Sequence, residues 1–165
     1  MGNMRDLENR LFREYRLKFY LNGNHYVIIN GKKGETHPHT WEYTIIILVG
    51  RESFVEFYRF EKEIEALFAP YQNRVLNELD PFNGIIPSLE NQVEYFGNRI
   101  QEIVRGIGGR LISIEGSETP TRSYIINLND AFDSFEMEAY TTQVMDEVID
   151  TVLDDLMDFS EGETD

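Results

Sequence analysis

Four segments of the chain carry the apolar or alternating pattern that predicts strands. Residues 14–29, EYRLKFYLNGNHYVII, are rich in aromatic and β-branched residues and partly alternate. The Asn-Gly of NGKKGE signals a turn, and the apolar run HTWEYTIIILVG follows it. Two further runs, RLISIEGSE and RSYIINL, begin at residues 110 and 122. The pattern therefore predicts an antiparallel hairpin early in the chain and two more strands late in it.

Between the early hairpin and the late strands the apolar spacing becomes helical. One predicted helix carries its apolar face on Phe57, Phe60, Ile64, Leu67 and Phe68, and the next carries its face on Val93, Phe96, Ile100, Ile103 and Val104. Pro70 ends the first helix, and the glycines of GIGG, residues 106–109, end the second. The order β-β-α-α-β-β predicts an α+β fold, a four-stranded antiparallel sheet with two helices on one face.

The end of the chain differs from the rest in charge. Of the net charge of −15, the segment from Ser123 to Asp165 contributes 13 acidic residues and no Lys or Arg. The first 122 residues therefore carry only −2, from 15 basic and 17 acidic residues. In EAYTTQVMDEVIDTVLDDLMDF an apolar stripe at helical spacing faces away from Asp and Glu. We expect a domain over residues 1–127 and an acidic C-terminal helical tail over 128–165, which docks on its own subunit or oligomer or binds a protein partner.

Composition excludes several classes of protein. With 41% apolar residues the chain is expected to fold. It has no basic patch for nucleic acid, no apolar run long enough for a membrane and no export signal, so a cytoplasmic protein is expected. The absence of cysteine excludes disulfides, thiolate nucleophiles and cysteine metal sites.

The three histidines of the chain are the strongest candidates for chemistry. His37 and His39 are two residues apart on a predicted strand, so they share one face. His25 joins them only if it pairs with an odd-numbered residue across the hairpin. A two-residue Asn30-Gly31 turn alone would pair position 25 with 36, whereas a longer or bulged loop pairs it with 37 or 39. Three converging imidazoles are a Zn²⁺ arrangement with one open position; the alternative is half-exposed polar residues at a strand start.

Five motifs resemble those of the 6-pyruvoyltetrahydropterin synthase / 6-carboxytetrahydropterin synthase family. They are NGNHYV, THPHTWEY, SFVEFYRFEKEI, IPSLENQVEYF and EGSETPTRSYII, and the resemblance covers residues 15–127. It implies the tunnelling fold, a bound zinc ion, and trimers whose sheets close a barrel and stack in pairs as a homohexamer. It assigns zinc ligation to His25, His37 and His39 and pterin binding to Glu118, Ser88 and Glu90.

The chain departs from the family where protons are transferred. Members act on 7,8-dihydroneopterin triphosphate with a cysteine thiolate and an Asp-His pair, but here Lys33 stands at the cysteine position and Gln72-Asn73 at the pair. The resemblance leaves Glu35, or Glu42, as the catalytic base. Three interpretations stay open. One is a divergent carbon–oxygen lyase, and another is a catalytically silent relative that binds a pterin or purine-like ligand or serves as an assembly module. The third and weaker one is a different reaction on a related heterocycle.

Overall fold

A computed structural model describes residues 11–128 of the chain, and the predicted tail lies outside these residues except for Leu128. Within them, the strands are β1 (Phe12–His25), β2 (Ile28–Ile29), β3 (Lys32–Lys33), β4 (His37–Gly50), β5 (Arg74–Val75), β6 (Arg110–Thr119) and β7 (Arg122–Asn127). The helices are α1 (Phe57–Phe68) and α2 (Leu89–Ile107). Five strands form one sheet in the order β5-β1-β4-β6-β7, and β2 pairs with β3 separately.

The pairing of β1 with β4 is antiparallel and unbroken from Phe12 opposite Gly50 to His25 opposite His37. Between them, Asn30 and Gly31 take left-handed φ angles of 51° and 73°, as a tight hairpin turn requires. The small hairpin of β2 and β3 around this turn has a register that would place position 25 opposite 36. One extra residue on the β4 side shifts the long strands by one. The predicted condition for His25 is therefore met.

The two helices cover one face of the sheet. Phe60, Ile64 and Phe68 of α1 are buried, as are Val93, Phe96, Ile100 and Val104 of α2. They pack against the odd-numbered residues of β4, among them Trp41, Tyr43 and Ile45, which are fully buried. Gly108 ends α2 in the left-handed region at φ 99°. The predicted α+β arrangement is thus confirmed.

A short fifth strand, which the apolar pattern did not predict, extends the sheet along β1. Arg74 and Val75 pair in parallel with Gly23 and Asn24. Beside them the Gln72 side chain accepts a hydrogen bond from a β1 main-chain N–H at 3.0 Å and donates one to a β1 carbonyl at 2.8 Å. The Gln72 amide therefore continues the edge of the sheet as a peptide group would. In the described range 11–128, no helix is long and apolar enough to cross a membrane.

Candidate metal centre

Four side chains meet at one end of the sheet. His25 ends β1, His37 begins β4 directly opposite, His39 follows two residues later, and Glu118 lies near the end of β6. The ligand atoms of these four residues all lie within 4.8 Å of one another. The structure thus brings together the three predicted imidazoles and adds the carboxylate of Glu118.

Main-chain carbonyl groups fix the tautomers of two of the histidines. The Nδ1 atom of His25 lies 2.8 Å from the carbonyl oxygen of Pro87, and that of His37 lies 2.9 Å from the carbonyl oxygen of Glu35. A carbonyl oxygen only accepts, so each Nδ1 carries the hydrogen and each neutral ring keeps a lone pair on Nε2. These two Nε2 atoms are 3.0 Å apart. Two lone pairs at this distance repel each other unless a proton or a metal ion lies between them, and a carbonyl partner on the far nitrogen is typical of metal-binding histidine.

The distances in the group fit a tetrahedral metal ion. Zinc with bonds of about 2.0–2.1 Å holds neighbouring ligand atoms about 3.3 Å apart. Here the Nε2 atoms of His25 and His37 are 3.0 Å apart, and Glu118 Oε1 lies 3.4 Å from His25 Nε2 and 3.3 Å from His39 Nε2. The buried Nε2 of His39 has no hydrogen-bond partner among the described residues. The four residues could therefore hold a metal ion.

The electrostatics of the group favour the protonation state that binds metals. Burial lowers the pKa of His25, which is 2% exposed, and also lowers the pKa of His39. Both rings are therefore neutral at neutral pH, which is the state that binds a metal. The second oxygen of Glu118 accepts a 2.6 Å hydrogen bond from the guanidinium of Arg122.

A buried glutamine, which the sequence interpretation did not single out, supports the carbonyl that orients His25. The Gln92 Nε2 donates to the Pro87 carbonyl at 2.9 Å, and its Oε1 accepts from the Tyr43 hydroxyl at 2.9 Å. Both side chains are fully buried. Burial raises the pKa of Tyr43 well above its ordinary value, so the hydroxyl remains a donor. The signal in the sequence was a lone amide on the apolar face of α2, one residue before Val93.

A second amide fixes the chain immediately after His25. Asn77 Oδ1 accepts the main-chain N–H of Tyr26 at 2.9 Å, and Asn77 Nδ2 donates to the Tyr26 carbonyl at 2.9 Å. This paired contact fixes the main chain at the point where β1 ends and the chain leaves the sheet. No sequence motif pointed to Asn77, because its partner is main chain 51 positions away.

The two glutamates considered as bases occupy different places. The main-chain carbonyl of Glu35 accepts a hydrogen bond from His37, but the Glu35 carboxylate is not one of the four clustered side chains. Glu42 is even-numbered on β4, so it faces away from the helices, where it binds Lys18 at 2.8 Å. Glu42 therefore lies on the wrong face for the cluster. Lys33 places its ammonium 4.0 Å from the ring centre of Tyr26.

The predicted residues at the start of α2 lie next to the Pro87 carbonyl. Ser88 is the N-cap, and its hydroxyl accepts the N–H of Asn91 at 3.3 Å. Glu90 is exposed in the first turn, where the positive end of the helix favours a carboxylate. Both positions thus have a local structural role beside the cluster.

Comparison with known proteins gives the family. A family model described as 6-pyruvoyl tetrahydropterin synthase matches residues 14–129. The chain belongs to this family. No curated protein matches it in a sequence comparison.

Solved structures of 6-pyruvoyl tetrahydropterin synthases share the fold. The Caenorhabditis elegans synthase is 12% identical, with a TM-score of 0.60 over 70% of this chain and 95% of its own. The Plasmodium falciparum synthase is 14% identical, with a TM-score of 0.53 over 70% of this chain and 97% of its own. A Plasmodium vivax synthase with a catalytic glutamate replaced by alanine is 11% identical, with a TM-score of 0.53 over 70% and 96%. The chain therefore has the tunnelling fold of the synthase family.

Proposed function

We propose that this chain is a zinc-dependent member of the 6-pyruvoyl tetrahydropterin synthase family that acts on a pterin such as 7,8-dihydroneopterin triphosphate. His25, His37 and His39 would hold the zinc ion. The observation that carries the proposal is the pair of Nε2 lone pairs facing each other at 3.0 Å, each fixed by a carbonyl behind its ring. When bound, zinc would supply Lewis-acid polarisation of substrate oxygens.

The pterin ring is proposed to lie against Glu118. A carboxylate accepts hydrogen bonds from adjacent N–H groups, such as those on the amino-oxo edge of a pterin. The Glu118 side chain is only 11% exposed, and its Oε1 lies 3.3 Å from Nε2 of His39. A ligand bound to Glu118 would therefore also reach the cluster. Ser88 and Glu90, at the start of α2, are proposed to bind the same substrate.

Glu35 is proposed as the catalytic base that replaces the missing cysteine. Its carbonyl accepts from His37, which keeps the residue next to the cluster. The Plasmodium vivax relative is a synthase with a catalytic glutamate, which supports a carboxylate in this role. A carboxylate can take a proton in the pH range where the side-chain amides of Gln72 and Asn73 cannot.

The open sheet supports a proposed assembly of trimers that pair into a homohexamer. Within the described residues, β7 forms one edge of the sheet with only β6 beside it. On the face away from the helices, Tyr20 is 52% exposed and Ile125 is 53% exposed. Closing the sheet with neighbouring subunits would cover both features. The acidic tail over residues 128–165 remains a proposed contact for a protein partner.

Elemental analysis combined with a turnover assay tests the proposed function. We expect one zinc ion per chain and conversion of 7,8-dihydroneopterin triphosphate. His37→Ala should lose both, whereas Glu42→Gln, on the opposite face, should lose neither. Zinc-loaded wild-type protein that leaves this substrate and related pterins unchanged would contradict an enzymatic role.

A second candidate, binding without turnover, is favoured by one observation. Both hydrogen-bonding ends of the Gln72 amide are engaged with the main chain of β1, so the position that resembles the Asp-His pair serves the sheet edge instead. A silent relative would bind a pterin or purine-like ligand in calorimetry, with zinc present, and leave it chemically unchanged.

A further inference from the structure

The carboxylate of Glu118 is shared between two sets of partners. Its Oε1 lies 3.4 Å from His25 Nε2 and 3.3 Å from His39 Nε2, while its Oε2 accepts from Arg122 at 2.6 Å. The Pro87 carbonyl keeps the hydrogen of His25 on Nδ1, so the contact of Oε1 with Nε2 joins two acceptors. Such a contact is favourable only when a proton or a metal ion lies between the atoms.

An irregularity near the end of β6 directs the Glu118 side chain into the cluster. The register of β6 with β7 shifts between the pair Ser117–Ser123 and the pair Thr119–Arg122, and Glu118 is the residue inside this shift. Bulges of this kind re-aim side chains at functional sites. Arg122, across the turn, has a side chain that is 68% exposed, so it can hold Oε2 and also follow the carboxylate when it moves.

We propose that Glu118 is the fourth metal ligand in the protein without bound pterin. A pterin that binds the Glu118 carboxylate would displace it from the metal and so free one coordination position. This second step rests on the proposed function. Arg122, by holding Oε2, restricts Glu118 to one oxygen on the metal. The resting site is thus a closed set of four protein ligands, which is the form of structural zinc sites, and it becomes an open three-histidine site only when the heterocycle is bound.

This arrangement couples the metal to the ligand. A heterocycle that removes Glu118 exposes a coordination position, and an anion that takes that position favours heterocycle binding by the same factor. Four protein ligands would leave no open position for water, so the closed site would disfavour metal chemistry in the absence of substrate.

Cobalt(II)-substituted full-length protein provides the test, because its visible spectrum reports new ligands. Thiocyanate should leave the wild-type spectrum unchanged and should shift that of Glu118→Ala. Glu115→Ala is the matched control, because it removes a carboxylate three residues earlier on the opposite face and should behave as wild type. Glu118→Gln should weaken zinc binding by at least the roughly 10–100-fold seen when supporting residues of metal sites are lost.

Adding pterin to the cobalt protein distinguishes a failure of this inference from a failure of the proposed function. Unsubstituted pterin, which has no side chain to reach the metal, should make the wild-type cobalt protein responsive to thiocyanate. Wild-type protein that takes up thiocyanate without pterin would overturn the ligand assignment, and this result needs no variant to fold. Absence of pterin binding would overturn the exchange and the proposed function, while the pterin-free spectra would still decide whether Glu118 is a ligand.

Discussion

Replacing Gln92 with leucine tests how much the buried amide beside the candidate metal centre contributes to the stability of the fold. In Gln92→Leu the Tyr43 hydroxyl loses its acceptor, and the Pro87 carbonyl loses one of its two side-chain donors but keeps His25. The leucine is close in size to glutamine, so the change removes hydrogen bonds with little change in packing.

The expected cost follows from these contacts. A buried polar group left without a partner costs about 1–3 kcal/mol, and the Tyr43 hydroxyl, which is fully buried, becomes such a group. The Pro87 carbonyl retains a donor and adds little. We therefore expect Gln92→Leu to lower the free energy of unfolding by about 2 kcal/mol. Removing both partners in the double variant with Tyr43→Phe should restore most of this loss, since paired replacement by apolar groups is close to neutral.

Urea unfolding of the metal-free protein measures both effects. Trp41, the single tryptophan of the chain, is fully buried beside His25 and His39 and reports unfolding by fluorescence. Gln101→Leu, on a partly exposed position of the same helix, should change stability by less than about 0.5 kcal/mol. A Gln92→Leu variant as stable as wild type, or a double variant as unstable as the sum of the single variants, would refute the reasoning.

Three further predictions concern packing, pH and the end of β1. Gly116→Ala should destabilise the fold by about 1–3 kcal/mol, because the new Cβ meets a side chain of α2, whereas Gly106→Ala, in open space within the helix, should stabilise it by up to about 1 kcal/mol. Burial lowers the pKa of His25 and His39 in the folded chain, so the unfolded chain binds more protons below about pH 6.5. Metal-free protein should therefore lose stability as the pH falls below this value, and less so in His39→Gln. Asn77→Ala should cost about 1–2 kcal/mol and weaken zinc binding, because the end of β1 loses its paired amide contact.

Each of these predictions has a clear contrary result. Equal stabilities of Gly116→Ala and wild type in urea would contradict the close contact of α2 with β6. Unfolding energies of metal-free protein that are the same at pH 7.5 and 5.5, or that fall equally in His39→Gln, would contradict the burial of neutral rings. Unchanged zinc affinity in Asn77→Ala, measured by competition with a chelator, would remove the link between Asn77 and the cluster.

Local patterns in the sequence predicted the elements because each has a periodic cause. The apolar faces of α1 and α2 follow from helical spacing, and Ser88 and Gly108 mark the ends of α2. The condition for His25 to join the other two histidines could also be derived from the sequence. His37 and His39 share one face of a strand, so His25 reaches that face only by pairing with an odd-numbered residue. The Asn30-Gly31 turn formed as its sequence indicates, and the bulge after it supplied the missing residue.

The contacts that prepare the cluster could not be predicted in the same way. The partners of His25 and His37 are carbonyl groups, which every residue possesses, so no side-chain motif marks them. The contact of Arg122 with Glu118 depends on a register shift in the last hairpin. The role of Gln72 depends on which strand is left at the edge of the sheet. These features arise from the packed fold and not from local spacing.

X-ray absorption at the zinc edge of the purified full-length protein tests the central claim most directly. The account predicts one zinc ion per chain with three imidazole nitrogens at about 2.0–2.1 Å. His37→Ala should lose this signal, and the control Glu42→Gln should keep it. A chain that takes up no zinc, or a zinc shell made of water oxygens without imidazole, would contradict it.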